Sequence, residues 1–130
     1  MSVAGVDFRN QEEAREYARR LGIEYRFGCL EEKKPYACHL LGDYLEAVEL
    51  QFAQAFQTYK SNCLERSYAH SCYKYGKYLV NAQGGCERNL DEAMAAFSKS
   101  CSGNFAKGCK VQGLLHLHGT GRINTAHWVG

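Results

Sequence analysis

Apolar residues return every three or four positions along most of this chain. Ala14, Tyr17, Ala18 and Leu21 keep that spacing in the first segment. Ala55, Tyr59 and Cys63, then Ala93, Phe97 and Cys101, and in weaker form Leu21, Tyr25 and Cys29, each fall four apart, the interval that stacks side chains on one helix face. Phe52 and Phe56 lead into the second of these stripes, and Tyr73, Tyr75 and Tyr78 make another aromatic set, all of it read as core and inter-helix packing. Strand-like alternation is absent, so the pattern predicts helices. Asn10 with Glu13 is expected to open the first as a capping box, and Gly22 to end it. The charged stretch from Glu31 to Tyr36, with the chain's one proline at 35, predicts a reversal before a second helix starting at Ala37 and Cys38. Gly84 and Gly85 predict a turn, followed by a second capping box at Asn89 and Glu92. The turn near Ala47 to Gln51 contains no glycine, so its form is left open.

Cysteines sharpen this picture into a repeat. Cys29 and Cys38 have eight residues between them, Cys63 and Cys72 also eight, and Cys101 and Cys109 seven. Cys29 to Cys63 is 34 residues and Cys63 to Cys101 is 38, a period that belongs to arrays of helical hairpins of the tetratricopeptide type. Aligning the second cysteine of each pair brings Gly42, Gly76 and Gly113 into register, each four residues on. A glycine inside a helix costs about 1 kcal/mol relative to alanine, so three in register predict close helix packing. Cys86 falls outside the repeat.

Net charge is +2 with acidic and basic residues interspersed, which leaves no electrostatic footprint for nucleic acid or an anionic membrane. No run approaches the ~20 apolar residues of a membrane span. The opening segment lacks the apolar core of a secretory signal, and Asp7, Glu12, Glu13 and Glu16 make it too acidic for a mitochondrial presequence. Each cysteine pair is expected to form a disulfide joining the end of one helix to the start of the next. Zinc is the rival reading, and it prefers closer C-x2–4-C pairs than any here. A catalytic thiol would want a C-x-x-C partner, also absent. Ordered cysteine pairs suggest oxidation, whereas the missing secretory signal removes the commonest oxidising compartment. The mitochondrial intermembrane space reconciles the two, and a reduced cytosolic protein with buried thiols fits the spacing equally. Cys86 is the expected free thiol. His116 and His118 lie two apart on one helix and point in different directions, and His39, His70 and His127 are scattered, so no metal, cofactor or catalytic residue is assigned.

Gly-x-Tyr on one arm, the Gly84-Gly85 turn, and Asp91-Glu92-Ala93 with Phe97 on the other resemble the Sel1-like repeat family. With its cysteine pairs and the phrases Asp43-Tyr44-Leu45-Glu46, Ser71-Cys72-Tyr73-Lys74 and Gly113-Leu114-Leu115, the chain is similar to the branch of that family that serves cytochrome c oxidase assembly in the mitochondrial intermembrane space. The resemblance implies an all-α solenoid of TPR-like Sel1 hairpins stapled by disulfides over residues 7–118, with a non-repeat tail at 119–130. It implies a scaffold for complex IV assembly rather than an enzyme, with assembly clients or copper-delivery factors as protein partners. It also makes haem binding possible, on no identified residue. A thiol-disulfide or haem-dependent reductase acting on copper-delivery factors, and a reduced cytosolic Sel1 adaptor, are the alternatives. Family members continue through more repeats, so the chain reads as a short isoform or a piece of a longer protein. Leu114, Leu115 and Leu117 are expected to expose apolar surface unless the tail covers them.

Overall fold

The computed structural model describes residues 2–3 and 5–118; the expected tail, with His127, lies outside them. A minimal antiparallel pair, β1 (Ser2–Val3) and β2 (Val6–Asp7), turns at Gly5 with φ +79° and pairs Val3 with Val6. Every described regular element after it is helical: α1 (Gln11–Arg26), a π-helical turn (Phe27–Glu31), α2 (Pro35–Ala47), α3 (Phe52–Arg66), α4 (Ala69–Asn81), α5 (Leu90–Ser102) and α6 (Ala106–His118). Each helix packs on its neighbours in sequence, and α4 also meets α6.

Capping starts the helices as polar residues allow. The Asn10 side chain accepts from the Glu12 and Glu13 amides at 3.0 and 3.3 Å. Glu13 does not close the expected box on Asn10; its carboxylate reaches past it to the Asp7 amide at 2.9 Å, because the Asn10 amide is already bonded to the Asp7 carbonyl. Asn89 likewise accepts from the Glu92 amide at 3.0 Å, while Glu92 Oε2 accepts from the Tyr75 hydroxyl at 2.5 Å.

Helix α1 runs past Gly22, where the sequence predicts its end. Gly22 is a packing position: a Cβ there would lie 2.7 Å from Tyr44 Cζ, so α2 takes the space a side chain would fill. The undetermined turn after α2 reverses through Leu50 at φ 53°, a left-handed residue without glycine. Gly84 combines φ +67° with a close approach, since a Cβ there would come 2.8 Å from the Phe52 carbonyl. Only glycine meets both demands.

The glycines that share a register do not share a fate. A Cβ on Gly42 would meet Tyr59 Cε1 at 2.5 Å, and one on Gly76 would meet Phe97 Cε1 at 2.6 Å. Tyr59 and Phe97 are 0% exposed, so each ring of one hairpin lies on the glycine of the hairpin before. Gly113 departs from the expectation: among the described residues nothing lies within 4 Å of its Cβ position. The three leucines also divide. Leu115 is 1% exposed within the core, whereas Leu117 is 81% exposed and Leu114 is half-buried.

Gly42→Ala and Gly76→Ala should therefore each cost about 1–3 kcal/mol through overpacking, despite alanine's better helix propensity. Gly113→Ala should be neutral or stabilising by up to about 1 kcal/mol. Urea denaturation of the three variants, followed by circular dichroism, separates these outcomes.

Candidate functional site

The structure brings the paired cysteines together. Sulfurs lie at bonding distance for Cys29 and Cys38 (2.11 Å), Cys63 and Cys72 (2.11 Å), and Cys101 and Cys109 (2.05 Å). They join the π-helical turn to α2, α3 to α4 and α5 to α6, so each staple closes one hairpin. Closing loops this short is worth about 2–3 kcal/mol in the chain-entropy model. The first two staples are buried, with Cys63 and Cys72 at 0% exposure. In the third, Cys101 is half-buried and Cys109 exposed.

A second signal sits one residue before each cysteine, where the two arms touch. Gly28 faces Ala37, with a Cβ-to-Cβ approach of 2.8 Å, and Gly108 leaves no room for a Cβ beside Ser100. In the middle hairpin Asn62 donates to Ser71 Oγ at 2.8 Å. This complementarity was present in the sequence as Gly/Ala, Asn/Ser and Ser/Gly, and the cysteine spacing alone does not reveal it.

From Ser71 a polar network crosses between hairpins. Ser71 Oγ lies 2.9 Å from His39 Nδ1, and His39 Nε2 lies 3.5 Å from Asp43 Oδ2. Ser71 Oγ accepts from Asn62; the carboxylate of Asp43 beside Nε2 favours the ring proton there, and with that tautomer the Ser71 hydroxyl donates to Nδ1. A serine, a histidine and an aspartate in sequence contact invite a nucleophilic reading. Ser71 is 0% exposed, however, and a buried hydroxyl held by an amide cannot meet a substrate. Burial holds the His39 pKa below its ordinary value of 6.5, and Asp43 only partly opposes it. His39 and His70, scattered in the sequence, stand with ring centroids 5.7 Å apart, and His70 packs on Phe105 at 4.0 Å.

Carboxylates on α2 take two further tyrosine hydroxyls, both from buried side chains. Tyr59 donates to Asp43 at 2.5 Å, and Tyr78 donates to Glu46 at 2.6 Å beside Lys74, also at 2.6 Å. Burial alone would raise the Glu46 pKa, but the bonds from Lys74 and Tyr78 outweigh it and hold the carboxyl low. Tyr59 and Tyr78 are pushed up, first by burial and then by these carboxylates. The result is a face on α2 and α4 with Asp43, Glu46, His39, His70, Lys74 and Lys77 as its polar groups.

Cys86 is unpaired and half-buried. Its thiol donates to the Gln83 carbonyl at 3.0 Å, and burial pushes its pKa up, so it stays protonated near neutrality and is a poor nucleophile. His116 is exposed on α6. Among the described residues no group of three or more His, Cys, Asp or Glu is placed to hold a metal ion, and no helix is long and apolar enough to cross a membrane.

Two outcomes follow. In a glutathione titration with differential alkylation, Cys101 and Cys109 should open before the buried pairs; equal opening of all three would contradict the exposure argument. For pH, the folded pKa of His39 lies below the unfolded value, so the unfolded chain binds the extra proton and stability falls as pH drops below about 6.5. His39→Gln should flatten that acid limb by up to about 1.4 kcal/mol per pH unit, measured by urea midpoints between pH 5 and 7.5.

No protein-family model matches the chain. Among curated proteins, it is 46% identical over 111 residues to the cytochrome c oxidase assembly factor 7 homolog of Drosophila melanogaster, covering 84% of this chain and 42% of that one. It is 41% identical over 122 residues to cytochrome c oxidase assembly factor 7 of Xenopus tropicalis, covering 92% and 52%. The Danio rerio protein of that name is 37% identical over 117 residues, covering 88% and 51%. The chain thus spans about half the length of the curated relatives it matches, and over most of its own length it is a homologue of the proteins named cytochrome c oxidase assembly factor 7.

Proposed function

We propose that this chain is a disulfide-stapled scaffold of Sel1-like hairpins that serves assembly of respiratory complex IV from the mitochondrial intermembrane space. The carrying observation is its homology to cytochrome c oxidase assembly factors over most of the chain. The repeated staple supports the architecture: three cysteine pairs each close a hairpin, and rings at equivalent positions lie on glycines of the preceding hairpin. On this reading the chain is no enzyme. It acts by holding helices at fixed spacing and presenting the polar face of α2 and α4 to a protein client, an assembly intermediate or a copper-delivery factor. Helical arrays characteristically use such extended surfaces.

Exposure of Cys109 favours one second reading, thiol-disulfide exchange with a partner at the Cys101–Cys109 pair.

The test is the thiol count and address of the protein in cells. Alkylation without reductant, intact mass and peptide mapping should show one labelled thiol, Cys86, with three neighbour-linked pairs in material shielded from protease until the outer mitochondrial membrane is opened. Co-purification with complex IV assembly intermediates should accompany it. Seven labelled thiols in a cytosolic fraction would overturn the address and point to a reduced adaptor. A mixed redox population confined to Cys101 and Cys109 would favour exchange.

A further inference from the structure

Charge reverses sign between α2 and α4 on one face of the array, and the two halves are not equally engaged. Asp43 stands one turn after His39 on α2, and Lys77 one turn after Tyr73 on α4; both hold the place five past the second cysteine of their hairpin. The α2 carboxylates are occupied within the molecule. Asp43 accepts from Tyr59 and faces His39, while Glu46 accepts from Lys74 on one oxygen and from Tyr78 on the other.

Lys77 has no such partner. Among the described residues no carboxylate lies within ion-pair distance of it, although it is half-buried and holds Nζ 5.5 Å from the centre of the Tyr73 ring. Its charged neighbours are Lys74, already bonded to Glu46, and Lys107 of α6, which is exposed and likewise without an ion pair among the described residues; Glu46 alone opposes them. Burial and those two ammonium groups lower the Lys77 pKa. A partly desolvated cation among like charges is unfavourable until an anion joins it. Helix α4 packs on α3, α5 and α6, so Lys77 sits inside the array and away from the end of the described helices. Beside it the surface turns aromatic. The Tyr73 and Phe105 rings stand 5.3 Å apart and those of Phe105 and His70 4.0 Å, centre to centre; Tyr73 and Phe105 are half-buried and His70 is exposed.

We propose that Lys77 and Lys107, with the rings of Tyr73, Phe105 and His70, form a docking site for an acidic segment of a protein client. One or two carboxylates of that segment seat on the lysines, and an adjacent aromatic or apolar side chain lies on the rings. Charge complementarity names the occupant. A nucleic acid or an anionic bilayer would extend past two unpaired lysines onto Asp43 and Glu46, where like charge repels it. A peptide instead carries single carboxylates, spaced by ~3.3 Å per residue along an extended chain, and keeps them where the cations are. The inference deepens the scaffold reading above and rests on it, by giving the chemistry of the client segment.

Fluorescence anisotropy at low salt, on the full chain with its staples intact, tests it with a labelled peptide of glutamates flanking a central phenylalanine. The peptide should bind, should release as salt is raised, and should not bind once glutamine replaces its glutamates. Lys77→Glu should weaken binding by about tenfold or more and gain binding to the same peptide with lysine in place of glutamate, a reversal that loss of fold cannot give. Lys77→Arg should bind as the unaltered protein does. Arg20→Glu makes the same change in net charge at an exposed position of α1 and should leave affinity within about twofold. The proposal is overturned by absence of binding, by equal loss in Lys77→Glu and Arg20→Glu, or by tighter binding of a single-stranded oligonucleotide or of phosphatidylserine vesicles than of the peptide. If the peptide fails while the thiol count and mitochondrial address hold, this site alone falls; if the address fails while the peptide binds at Lys77, the site stands without it.

Discussion

A ring laid on a glycine is the contact on which this architecture depends. Tyr59 over Gly42 and Phe97 over Gly76 bring helix backbones closer than any side chain would allow, and the surrounding core residues gather about those two junctions. Burying a large aromatic is among the larger single contributions a small domain can make, but here it requires the neighbouring helix to forgo a Cβ. The mid-helix cost of glycine, about 1 kcal/mol, is what the packing offsets. Tyr59 adds a constraint the phenylalanine lacks, since its buried hydroxyl must find Asp43.

Covalent and packing contacts divide the work between them. The staples lie inside hairpins, joining the π-helical turn to α2, α3 to α4 and α5 to α6, while the rings on Gly42 and Gly76 lie between hairpins. Reduction would therefore loosen each hairpin without removing what registers one hairpin on the next. The His39, Ser71 and Asn62 network reinforces that registration with directional bonds, tying the start of α2 to α3 and α4.

Much of this was legible because the repeat writes each feature more than once. Helical spacing in Ala55, Tyr59, Cys63 and in Ala93, Phe97, Cys101 located α3 and α5, and glycine register pointed to Gly42 and Gly76 as close contacts. Legibility failed where one residue type serves two physical roles. Gly22 has the composition of a helix stop and the environment of a packing contact, and only the position of Tyr44 separates them. Leu50 makes a left-handed turn for which leucine has no propensity. His39 and His70 are 31 positions apart and meet only because α2 and α4 pack within reach of each other across the hairpins.

The same packing bears on function. In many enzymes a serine, histidine and aspartate in contact are exposed at a cleft with the hydroxyl free to attack; here Ser71 is fully buried, accepts from Asn62 and lies within hydrogen-bond distance of His39. Asp43 and Glu46 receive tyrosine hydroxyls, and Cys86 is held as a thiol by burial. These reactive side chains are engaged in fixing one helix on another. What they leave at the surface of α2 and α4 is charge held at fixed spacing on a cross-linked frame, a surface that has little ordering cost of its own to meet in any contact it makes.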